Sequence, residues 1–77
     1  MNPTYHREIL TAALDARIKE VTEYQVNIDN FRLALVHIGD DPALQEFKAQ
    51  IEGLLASSIF EQKKARIMLD VIQSQLE

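Results

Sequence analysis

Two groups of side chains in this sequence have the type and spacing to do chemistry. His37 stands just before Asp40 and Asp41, and an imidazole with two carboxylates beside a turn is the donor set of a small metal site. Yet no HExxH, ExxH or EF-hand spacing accompanies these residues. His37 reads more simply as a polar residue near the negative pole of a helix. His6 and Glu8 have no further ligand beside them. No serine lies in a GxSxG setting and no glycine-rich phosphate loop is present. We therefore expect no catalytic residue, no metal and no cofactor, and a protein that is not an enzyme.

The second group is cationic. Arg17 and Lys19 in the first half, and Lys63, Lys64 and Arg66 in the second, are five of the eight basic residues. Brought to one height, they would form a band able to dock an acidic protein surface or an RNA backbone. Asp15, Glu20, Glu61 and Asp70 surround them, so a neutralised, solvated girdle is the simpler expectation. The chain as a whole carries twelve acidic side chains and a net charge of −4. That disfavours generic binding to nucleic acid or to an anionic membrane.

What must position these groups is a pair of helices. Gly39-Asp40-Asp41-Pro42 is the only strong punctuation in the chain. Gly39 can take the left-handed conformation that ends a helix, and Asp41-Pro42 is an N-cap followed by a residue with φ already set. Asn2-Pro3 repeats the same start signal. The expected fold is therefore all-α: a single helical-hairpin domain over 1–77. Its helices run over about 3–38 and about 42–76, with a turn at 39–41, and it dimerises into a four-helix bundle.

The heptad pattern supports this. With Leu14 at position a, the a and d positions of the first arm are Arg7, Leu10, Leu14, Arg17, Val21, Tyr24, Ile28, Phe31, Leu35 and Ile38. Only the two arginines are polar, which is a strong helix-pairing signal. Asn27, Asp29 and Asn30 weaken the middle, because short polar side chains compete with helical hydrogen bonds. A break there would give three helices. The seam stays in register across it, so one helix is expected.

The second arm reads Leu44, Phe47, Ile51, Leu54 or Leu55, Ser58, Gln62, Ala65, Leu69, Ile72 and Leu76, with a stutter around Ile51. Folding about residues 40–41 puts position i level with roughly 81 − i. Ile28 would then meet Leu54, Leu14 would meet Met68, Leu10 would meet Val71 or Ile72, and Tyr24 would meet Ser57 and Ser58. Surface ion pairs are expected for Asp15 with Lys19, Asp29 with Arg32, Glu61 with Lys64, and Arg66 with Asp70, each adding a few tenths of a kcal/mol. Arg17, at a core position, is expected to snorkel outward, pair with Glu61, or fix the register.

Five large apolar residues have no place in that seam: Val26, Leu33, Val36, Phe60 and Ile67. At helical spacing on both arms they predict a further buried interface, for self-association or for a larger protein. A chain of 77 residues without cysteine has neither disulfide nor thiolate metal site, so another chain is the expected additional source of stability. No run is apolar for long enough to span a bilayer and no signal-peptide core is seen, so a cytoplasmic location is expected, in a cell or an infected host cell. The function expected is a non-enzymatic interaction module that binds itself and a larger protein as adaptor, assembly factor or inhibitor. In shape alone, with no matching motif, the hairpin is similar to small dimeric RNA regulators of plasmids; a dimeric RNA-binding regulator using the basic band is the second expectation. A structural subunit of a larger helical assembly is the third.

Overall fold

The computed structural model describes residues 3–77, and it folds as one helical hairpin. Helix α1 runs over Pro3–Ile38 without interruption. A single 3₁₀ turn, Pro42–Leu44, then leads into α2, Gln45–Leu76. The expected cap at Asn2 lies outside the described residues. The rod measures 62 × 15 × 14 Å with a radius of gyration of 17.7 Å, against about 11–12 Å for a compact domain of this length.

The turn is built as the sequence requires. Gly39 has φ of 56° and its N–H donates to the Leu35 carbonyl at 3.1 Å. This is the left-handed helix stop that satisfies an otherwise orphan carbonyl. Asp41 then begins the return arm: its carboxylate accepts from the Ala43 N–H at 2.9 Å. Its carbonyl takes the Leu44 N–H at 3.1 Å and the Gln45 side-chain amide at 2.8 Å. Pro42 has no N–H to offer, so the first turn closes in the tighter 3₁₀ pattern before α2 starts.

On α1 the inward face is the expected one from Leu10 onward, while Arg7, expected at its start, is exposed. Leu10, Leu14, Arg17, Val21, Tyr24, Phe31 and Leu35 are half-buried, and Ile28 and Ile38 are buried. The polar stretch does not break the helix. Gln25 donates to the Asp29 carboxylate at 2.9 Å across it, and Ile28, at 2% exposure, is among the most buried residues. The anchor therefore sits inside the locally weakest segment.

On α2 the inward face is the expected one from Ile51 onward, with Leu55 rather than Leu54, but it differs at the start, where Lys48 replaces Leu44 and Phe47. It runs Lys48, Ile51, Leu55, Ser58, Gln62, Ala65, Leu69, Ile72 and Leu76, in regular steps of three and four. There is no stutter. Leu44, Phe47, Leu54, Met68 and Val71 are exposed. The 3₁₀ turn consumes residues 42–44 at three residues per turn, so α2 enters in a phase that turns Phe47 outward and Lys48 inward. The register shifts with it. Arg7 donates to the Leu76 carbonyl at 3.3 Å and Gln62 to the Val21 carbonyl at 3.1 Å. The indices of both pairs total 83, not 81, which places Leu55 rather than Leu54 level with Ile28.

Candidate interaction surfaces

The most ordered polar feature of the hairpin lies inside its seam. Gln62, 8% exposed, is the one buried polar side chain among the described residues. Its amide nitrogen donates to the Val21 carbonyl at 3.1 Å and to the Gln25 side-chain oxygen at 2.9 Å. Gln25 passes its own amide hydrogen to Asp29. An ionised carboxylate only accepts, so Asp29 dictates the orientation of the Gln25 amide, which in turn dictates that of Gln62. A buried polar residue satisfied in only one alignment specifies register, as polar residues at coiled-coil core positions do. The sequence placed Gln62 in the seam but held no signal that a glutamine at this height finds two acceptors on the facing helix. At 2% exposure Ala65, one turn further on, is the tightest point of α2.

The basic band is largely paired within its own helices. Arg17 binds Glu20 at 3.1 Å, Lys19 approaches Glu23 at 3.9 Å, and Lys64 binds Glu61 at 2.8 Å. Of the four expected ion pairs only Glu61 with Lys64 forms among the described residues. Asp29 is taken by Gln25 instead, and Lys19 turns to Glu23 rather than Asp15. Arg17 stays half-buried and pairs along α1, not with Glu61 across the seam. Lys63 and Arg66 are exposed beside the band. Exposed pairs of this kind contribute at most about 1 kcal/mol each.

At the loop, Asp41 is engaged as a cap and His37 lies in the last turn of α1. No three His, Asp or Glu side chains converge on a metal-sized site among the described residues. At the open end, the guanidinium of Arg7 on the α2 carbonyl terminus places a cation at the negative helix pole and closes the rod.

Outside the seam lie the five apolar residues picked out in the sequence. Val26, Leu33, Val36, Phe60 and Ile67 are between 53% and 75% exposed. Phe60 is two residues from both Ser58 and Gln62, about 200° around the helix from the inward face. The α2 surface is broader than the sequence suggested, because Leu54, Met68 and Val71 join it. Lys64 lays its ammonium 5.0 Å from the centre of the Phe60 ring while holding Glu61, tying a charged pair to an exposed aromatic. On α1 the outward residues Val26 and Leu33 are separated by Asp29, Asn30 and Arg32, which makes a thinner stripe. No helix among the described residues is long and apolar enough to cross a membrane. Compared with known protein families, curated proteins and solved structures, the chain matches none.

Proposed function

We propose that this hairpin is a non-enzymatic interaction module of the cytoplasm. It self-associates, most simply into a dimeric four-helix bundle, and it occupies a surface on a larger protein as adaptor, assembly factor or inhibitor. One observation carries the reading: Val26, Leu33, Val36, Phe60 and Ile67 all stand in solvent on the outer faces of both helices. Isolated apolar residues on a surface are ordinary, but rows of them at helical spacing are the anchors of helix-to-helix docking. Burying one such side chain contributes roughly 1.5–3 kcal/mol, so several buried together on both subunits would offset much of the cost of association. The pairing of Arg17, Lys19 and Lys64 with carboxylates weighs against the RNA-binding alternative, since each pair would have to open for a phosphate.

The test is the double substitution Leu33→Glu with Phe60→Glu, read by light scattering and by pull-down with the tagged chain. Loss of self-association or of a captured protein supports the reading. If neither changes, the outer residues are ordinary surface and the proposal fails. Association that instead collapses as salt rises, with nucleic acid in the captured fraction, would favour the RNA alternative.

A further inference from the structure

Gly53 costs α2 stability and gains the chain nothing within itself. A glycine inside a helix is less favourable than alanine, and its missing side chain leaves room for a neighbouring group. Here a Cβ at position 53 would meet no atom within 4 Å. Gly53 also belongs to a second regular series on α2. Gly53, Ser57, Phe60, Lys64, Ile67 and Val71 advance in the same steps of four and three as the inward face, on the opposite side of the helix, and all six are exposed. A heptad series of this kind is a helix-pairing seam. Its first two members, Gly53 and Ser57, are small and the four that follow are large.

We infer that the occupant of this seam is a second copy of the chain, with α2 packed antiparallel on α2 about a two-fold axis level with Gln62. The inference rests on the self-association reading above and names the surface that serves it. In this alignment the indices of facing residues total 124. Gly53 receives Val71 of the second copy, Ser57 receives its Ile67, and Phe60 receives its Lys64, so small meets large and ring meets ammonium. Lys64 also comes within one residue of the level of the second copy's Glu61, near enough to repeat between subunits the pairing it makes within one. A parallel alignment would instead set Lys64 against Lys64, a charge repulsion. Because the seam lies opposite α1, the four helices would form a flattened bundle with both α2 helices inside. Val26, Leu33 and Val36 stay on its outer edge, free for the larger partner.

Gly53→Leu tests this directly, because within one chain the added side chain has open space and improves helix propensity. Sedimentation equilibrium should show self-association weakened at least about tenfold, the 1.4 kcal/mol equivalence of one obstructed contact, while the melting temperature of the dilute chain holds or rises. A second measurement reads the geometry. The sequence has no cysteine, so Gln73→Cys gives a single spin-label site away from the seam. The antiparallel alignment places the two labels at least about 33 Å apart along the axis. Gly53→Leu that associates as tightly as the parent, or labels within about 20 Å as in a parallel pair at ordinary helix spacing, overturns the α2 alignment and leaves self-association standing. A parent chain that remains monomeric at every concentration overturns both.

Discussion

On its inner face α2 presents Ile51, Leu55, Ala65, Leu69 and Ile72 to α1, interrupted by Ser58 and Gln62. On its outer face it presents Leu54, Phe60, Ile67, Met68 and Val71 to solvent. In apolar content the two are close; in what they meet they are opposite. A helix with apolar residues on two sides has more to cover than one neighbour reaches, and α1 covers only one side, which is why a second copy is proposed for the other. What the inner face adds is a satisfied polar residue that fixes alignment. What the outer face adds is Gly53, where a Cβ would meet nothing within 4 Å.

The sharpest way to break this contrast is to make the same change on each face. Ile51 is 8% exposed and Ile67 is 62% exposed. Ile51→Ala should cost about 2–5 kcal/mol, enough to remove most helical circular dichroism at 37 °C in a hairpin this small. Ile67→Ala should leave a dilute sample within about 0.5 kcal/mol of the parent and lower only the concentration-dependent part of its stability. Equal losses in the dilute state would mean that both faces belong to one core.

The turn decides which face of α2 is inner, so it is the next point of attack. Gly39→Val forces a β-branched residue to a φ of 56° and should cost about 1–3 kcal/mol in urea unfolding. Asp41→Ala removes the acceptor for the Ala43 N–H and should cost about 1 kcal/mol. A silent Gly39→Val would show that the chain reaches the same register through another turn. At Gln62→Leu the change in free energy is expected to stay within about 1 kcal/mol of the parent, because apolar replacement of a buried polar group is often neutral. Its effect should appear as heterogeneity: more than one set of amide resonances for Val21 and Gln25 once register is no longer specified. A single sharp spectrum would remove the alignment role assigned to Gln62.

The α1 seam was legible in the sequence residue by residue, since its apolar a and d positions are uninterrupted from Leu10 to Ile38 apart from Arg17. On α2 the same reasoning failed at Leu44, Phe47 and Leu54. Residue type argued that they face inward, but phase is set by the 3₁₀ turn, whose extra rotation leaves no mark on hydrophobic spacing. The ion pairs were hidden for a different reason. Lys19 has a carboxylate four residues away on each side, Asp15 and Glu23, and propensity does not choose between two nearly equal rotamers. Exposure of Val26, Leu33, Val36, Phe60 and Ile67 was legible because no heptad frame could bury them. Leu54, Met68 and Val71 were missed because the register was placed two residues short.

The hairpin's single turn also orders the way this molecule assembles. Gln62 reaches Val21 across 41 residues and Arg7 reaches Leu76 across 69, so cross-chain partners grow more distant in sequence with every layer away from Gly39. Each doubling of that separation adds only about 0.6 kcal/mol to the entropy of closure, provided the chain between is still free. Once the layers nearest the turn have formed, the remaining segment is short and each further layer closes almost as a local event. The two arms should therefore zip from the loop toward Arg7 and Leu76, and reopen in the reverse order. Amide exchange would then be fastest at the open end, where one guanidinium bridges the chain's beginning and its end.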